Sequence, residues 1–426
     1  MKIHTLRATA IAAALLAASI SARAADPVTM ESGSAPAMAE PSLKIAEAAA
    51  KKALDDLGIE FWGYARGGAY GSTKGQPKGK YAVGDLGYYR LGNEGDNYAE
   101  FGIAKKWSIS GAKMGVYWMP FVYDGLAGAT DRGTKQIYVD MTGLSFAPDI
   151  SLWAGQRYHR IQDVHIIDNW LMEDGDNYGA GVDGIKVGFG KLNVAAYNDG
   201  STGNGNATIA NGKRVNFQWR EMPVNPNGAL TVTGGYVRGA YGDNKKDGFA
   251  LGLLHNQKDV GVKGLTNSLF VQGSNGHASL KGEFNAGPEA RQFRIVDSIN
   301  WQTGPFGGQA VVGYVTNKPV ATAIETKDAT IGGRVTYGIA PNVKLEGEAA
   351  IGTRKVTNQD SQRLTKATVA IGFSPTTDFW SRPEFRVYVT QANWNDGARA
   401  ANPAFGGNDV SRKAATVFGA QMEAWW

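Results

Sequence analysis

From residue 58 to the last residue the chain alternates with period two, and this limits its possible folds more than any other property. Val343, Leu345, Gly347, Ala349 and Ile351 fall on one face of their segment, with Lys344, Glu346 and Glu348 on the other. Phe385, Val387 and Val389 alternate with Arg382, Glu384, Arg386 and Tyr388. At the end of the chain, Phe418, Ala420, Met422, Ala424 and Trp426 alternate with Gln421, Glu423 and Trp425. Strict alternation marks strands with one apolar face. A soluble sandwich with one wet face would alternate too. Here, however, the apolar faces are rich in Ala, Gly and Val, and the polar faces carry clustered charges of both signs.

The N-terminus reads as a secretory signal peptide, residues 1–24. Lys2 and Arg7 precede the apolar run Ala8 to Ile20, and Ala22, Arg23 and Ala24 form a small-x-small cleavage site. Residues 25–42 are small and polar and read as a flexible linker. Residues 43–57, LKIAEAAAKKALDDL, hold good helix formers without Gly or Pro. Leu43, Ala46, Ala50, Ala53 and Leu57 follow the 3-4 spacing of a coiled-coil seam. The segment is either a periplasmic coiled coil or a plain surface helix.

An exported chain of 426 residues without cysteine has no disulfide framework. Past the signal, no run of about 18 apolar residues offers a transmembrane helix. A net charge of +5, dispersed along the chain, does not fit a nucleic-acid partner. Residues 58–426 are long enough for many strands, and the 57 glycines are roughly twice the usual share. These properties together predict an all-β fold, a transmembrane antiparallel β-barrel, because only closure satisfies every strand edge in lipid. The chain stops inside a strand at an aromatic residue, which fits a last strand closing onto the first.

Parity then separates lumen from lipid. Trp62, Tyr64, Arg66 and Tyr70 share one face, with Phe61, Gly63, Ala65 and Gly67 opposite. A lipid-facing arginine costs about 2–4 kcal/mol at the midplane, so Arg66 and Tyr64 face inward. Arg90, Glu94, Asp96, Tyr98 and Glu100 share even parity, whereas Phe101 and Ile103 point out. By the same reasoning Trp380 lies inside with Arg382, and Trp425 with Glu423. Four aromatics thus sit on charged faces, the wrong parity for a lipid-facing girdle.

The stretches GYAR (63–66), YRLGNE (89–94) with YAE (98–100), WAGQRY (153–158) with DVHIID (163–168), GFGKL (188–192), WSRP (380–383) and the terminal FGAQMEAWW resemble, in order, the maltoporin family of trimeric sugar-specific porins. The resemblance implies an eighteen-stranded barrel whose third loop, here the segment after Tyr158, folds into the channel and narrows it. It also implies an aromatic path with a flanking polar track. Tyr64, Tyr98, Trp380 and Trp425 fall on path positions, and Trp170 falls where the family has its constriction tyrosine. Arg66, Arg90, Glu100, Asp163 and Asp168 match the polar track. A family arginine falls on Ile161, with Arg160 adjacent. A further aromatic position falls at Leu269 or Phe270. The tryptophan that a neighbouring subunit lends to the channel mouth has no match in 122–135. Segment 43–57 resembles the helical extension of sucrose porins.

The implied function is passive, sugar-selective diffusion of oligosaccharides such as maltodextrins or related glucosides. It implies a homotrimer in the lipid of the outer membrane with its N-terminal segment in the periplasm, and no cofactor or metal. A general diffusion porin without sugar sites is the alternative. A hydrolase on a barrel needs a nucleophile, a base and an orienting group in reach, and His159, His165, His255 and His277 sit in no nucleophile motif. His165 reads as a loop anchor, and residues 200–213 read as an exposed loop.

Overall fold

The computed structural model describes residues 40–73, 80–125, 130–173, 178–198, 213–238, 247–283, 290–319, 324–407, 409 and 411–426. The signal peptide, most of the linker and nearly all of the 200–213 loop lie outside the described residues. A helix, Glu40–Leu57, begins three residues before the predicted one, and Lys51–Asp55 (2.9 Å) and Lys52–Asp56 (3.1 Å) pair along its surface.

Eighteen antiparallel strands form one closed sheet. The first strand, Ile59–Ser72, pairs on one side with Asn97–Ile109 (Tyr64 opposite Glu100) and on the other with the last strand, Ala414–Trp425 (Tyr64 opposite Trp425, Arg66 opposite Glu423). The predicted closure of last strand onto first is therefore present. Short turns join the strands at the end that holds Gly58 and Trp426. At 110–111, for example, Ser110 (φ 50°) and Gly111 (φ 89°) both adopt the left-handed backbone that a two-residue hairpin turn requires. Longer segments join the strands at the opposite end, and in outer-membrane barrels the longer loops are extracellular.

The alternation read from the sequence holds along the wall. Leu345, Ile351, Phe385, Val387, Phe418 and Met422 are exposed on the outside, whereas Lys344, Glu346, Glu348, Arg386 and Glu423 are buried inside. These inward charges do not meet open water, because the short-turn segment 378–382 and three segments from the long-loop end fold over them. The three are 81–96, the hairpin Arg160–Val164 with Asn169–Glu173, and 277–283. A core inside the barrel joins Leu86, Tyr89, Ile166, Leu171, Phe270 and Val296. A second joins Tyr81, Leu91, Tyr388, Trp394 and Phe405.

Four expectations are corrected here. Arg90, Glu94 and Asp96 are not strand residues: the second strand begins at Asn97, and the three reach the lumen on the folded-in segment 81–96. Trp380 and Arg382 stand on the short-turn segment before the strand Glu384–Trp394, and enter the lumen from the rim. The chain leaves the wall at the end of the strand Ser151–Gln156, two residues before the loop expected after Tyr158, to enter the constriction hairpin. Phe270 points inward into the core, while Leu269 faces out, so neither lines the channel.

The folded-in segment needs small wall residues beneath it. A Cβ at Gly332 would lie 2.5 Å from Tyr89 Cε1, and the Tyr89 hydroxyl hydrogen-bonds Thr330 Oγ1 at 2.9 Å. Gly332→Val is therefore expected to lift Tyr89 off the wall at a cost of about 1–3 kcal/mol. Unfolding of the detergent-solubilised barrel in denaturant measures this, and an unchanged midpoint would refute the packing account.

Candidate functional site

A cavity of about 620 Å³ lies where the hairpin narrows the lumen. All ten residues singled out in the sequence line it. Tyr64, Tyr98 and Trp425 come from the first, second and last strands, Trp170 from the hairpin and Trp380 from the short-turn rim. Arg66 and Glu100 come from the wall, Arg90 from segment 81–96, and Asp163 and Asp168 from the hairpin.

The rings follow one another across the seam of the barrel. Tyr98 and Tyr64 have centroids 6.0 Å apart, and Trp425 and Trp380 have centroids 6.4 Å apart. Their faces are partly available, with Trp380 41 % exposed although it belongs to the interior. Arg382 lies 4.4 Å over the Trp425 ring and Arg66 5.5 Å over that of Tyr98, so each of these two rings carries a cation on one face.

A buried charge cluster fixes this row. Glu423 accepts from Arg90 (2.7 Å), Arg382 (2.9 Å) and Arg386 (3.0 Å), and from the Tyr64 hydroxyl (2.9 Å). Arg90 also donates to Glu94 at 2.6 Å and to the Tyr64 hydroxyl. Arg66 grips Asp96 with two parallel bonds of 3.0 and 3.1 Å, a geometry only a guanidinium provides. Tyr98 and Tyr158 both donate to Glu100, at 2.7 and 3.0 Å.

The hairpin meets the cluster through His165. A short 3-10 turn, His165–Ile167, places its ring 5.2 Å from Trp380 and 5.6 Å from Trp425, with Arg90 Nη1 3.0 Å from Nδ1. Burial, then the neighbouring Arg90, pull its pKa down to about 3, against the raising effect of Glu423. The imidazole is neutral at physiological pH, and its role is to anchor the loop. Asp168 follows in the left-handed region (φ 50°), its carboxylate 3.6 Å from Arg66 and open to the lumen. Asp163 is pushed up to about 7 by burial, opposed by Arg90 and reinforced by Asp168.

Four lining residues escaped the sequence-based selection of site residues: Arg160, His165, Glu173 and Lys281. Arg160 stacks 3.4 Å above the Tyr158 ring, 5.6 Å from Trp170, and pairs with Glu173. Against the cost of burial, Arg160 and Lys281 hold Glu173 below the usual carboxylate range. The hairpin register pairs Arg160 with Glu173 and Asp163 with Trp170, a link that an antiparallel reading of 160–173 contains. Lys281 lies in the region without recognisable motifs and left no signal. Another hollow, lined by Leu269, Val312 and Ile331, opens on the outer wall and is separate from the lumen.

Among solved structures, the chain is similar to OccD3 (OpdP) of Pseudomonas aeruginosa, at 9 % identity over 87 % of this chain and 91 % of that one, with TM-score 0.48. It is similar to the anion-selective porin from Comamonas acidovorans at 12 % identity, with 86 % and 99 % covered and TM-score 0.45. OpdK of Pseudomonas aeruginosa with vanillate shares 9 % identity, with 86 % and 99 % covered and TM-score 0.47. The family model described as LamB porin matches residues 59–426, the whole barrel. The chain belongs to the LamB porin family, and it is an outer-membrane diffusion channel and not an enzyme.

Proposed function

We propose that the channel conducts sugars passively and selectively, oligosaccharides such as maltodextrins or related glucosides being the substrates. The observation that carries this reading is the convergence of Tyr64, Tyr98, Trp170, Trp380 and Trp425 on one cavity beside charged side chains. The C–H face of a glucose-type ring lies flat on an aromatic ring, and its equatorial hydroxyls then reach groups at the sides. Arg66, Arg90, Arg160 and Lys281 supply donors, and Glu100, Asp163, Asp168 and Glu173 supply acceptors. Four cations against four acids suit an uncharged, hydroxyl-rich solute. Weak sites in series let a solute both enter and leave. In this reading three copies assemble in the membrane lipid and the N-terminal helix lies in the periplasm.

Titrating single-channel current with a panel of mono-, di- and oligosaccharides tests the proposal. Block that saturates and deepens with chain length supports it. An unblocked current at every sugar concentration would make the protein a general diffusion porin.

The charge balance also depends on pH. Asp163 is charged above about 7 and neutral below. Its pKa in the folded channel is raised, so lowering pH from 8 to 6 removes one negative charge from the constriction. Cation-over-anion preference is expected to fall across that window, and Asp163→Asn to be flat across it. Reversal potentials in a salt gradient read this directly, and a wild-type preference independent of pH would contradict it.

A further inference from the structure

A belt of outward cations rings half of the barrel at its long-loop end. Lys213, Arg238, Arg291, Lys318, Lys355 and Arg363 are all exposed, each next to an inward residue of the same strand. The register sets like charges directly opposite one another. Lys213 faces Arg238, Arg291 faces Lys318, and Lys327 faces Lys355. Such partners sit about 5 Å apart at Cβ and destabilise a sheet that has nothing else to offer them.

Counter-charges among the described residues are few. Lys327 pairs with Glu325 at 3.1 Å, and Lys355 donates to the Gln359 carbonyl at 2.5 Å. Asp247 stands opposite Arg238 in the register, and its carboxylate accepts from the Tyr236 hydroxyl at 2.6 Å. Lys213, Arg291, Lys318 and Arg363 have no ion pair among the described residues. At the short-turn end Lys186–Asp149 (2.5 Å), Lys191–Glu221 (2.9 Å) and Lys106–Glu60 (2.7 Å) are paired, while the single cations Lys113, Lys258 and Lys263 have no ion pair among the described residues.

Depth identifies the missing partner. Two residues further along the strands, about 7 Å deeper, the outer wall turns apolar and aromatic at Val215, Tyr236 and Phe293. Aromatic girdles lie at the boundary between hydrocarbon and headgroups. The cations therefore stand at headgroup depth, and paired cations at that depth complement a headgroup bearing more than one phosphate. We propose that the belt docks multiply phosphorylated lipid headgroups of the leaflet at the long-loop end.

The probe is diphosphoryl lipid A in mixed micelles, titrated against the purified full-length barrel. In the quadruple variant K213Q/R238Q/R291Q/K318Q, apparent affinity is expected to fall about a hundredfold. The charge-keeping variant K213R/R238K/R291K/K318R retains it, as does K186Q/K191Q at the opposite rim. Heat-modifiable migration confirms that each variant is closed. If the quadruple variant fails to close, the doubles K213Q/R238Q and R291Q/K318Q are each expected to lose about tenfold. Parent-level binding by the neutralised variants, or equal binding of lipid A stripped of its phosphates, would overturn the proposal. Sugar block is a separate readout and stays at the parent level.

Discussion

Glu423→Gln is expected to destabilise the folded barrel by about 3–5 kcal/mol and to widen its conductance. Glu423 is the common acceptor for Arg90, Arg382 and Arg386, whose side chains are all buried. Removing its charge leaves three guanidiniums crowded in a dry site with Glu94, Glu346 and Glu384 as their remaining acidic partners. The shape of the side chain is kept, so the loss is electrostatic. The damage spreads to the constriction, because Arg90 and Arg382 both contact the ring of His165. The hairpin then loses its anchor and swings from the lumen. Thermal unfolding followed by electrophoretic mobility, together with single-channel conductance, measures both effects. A variant with parental stability and conductance would show that the cluster does not hold the loop.

The second large effect concerns the rings. Trp170→Ala and Trp380→Ala are each expected to weaken sugar block by tenfold or more, with ion conductance kept or raised. Stacking a flat ligand face on an aromatic side chain is worth about 1–3 kcal/mol by alanine substitution, and each 1.4 kcal/mol is about a factor of ten in affinity. Trp380 is the more informative of the two. It sits on the rim segment, makes a T-shaped contact with Phe379 at 4.9 Å, and is not part of the barrel wall. Truncating it removes a binding face without opening a strand. Sugar titration of the current distinguishes the outcomes, and parent-like block in both variants would end the stacking account.

The barrel was legible because lipid imposes one rule on every strand. Leu345, Phe385 and Phe418 had to face out, and their neighbours in. The site residues were legible for the same reason on the wall, where Tyr64, Arg66, Tyr98, Glu100 and Trp425 occupy inward positions. The folded-in segments followed no such rule. Tyr81, Leu86 and Leu91 are apolar and buried, yet they lack periodicity, and their partners lie hundreds of residues away: Tyr89 bonds Thr330, and the Leu91 backbone N–H reaches Glu348 at 3.0 Å. Arg90, Glu94 and Asp96 continued the parity of Tyr98 in the sequence, which hid their departure from the wall. Lys281 depends on where an irregular segment turns inside the barrel, and local sequence carries no trace of that.

Tyr64 and Trp425 stand opposite each other across the seam where first and last strands meet. Half of the ring row comes from each end of the polypeptide, so the row does not exist in an open sheet. Closure of the barrel and assembly of the ring row are thus a single event. A chain cut before its final dozen residues would lose the ring row together with its seal, because no partial barrel brings those two residues into register.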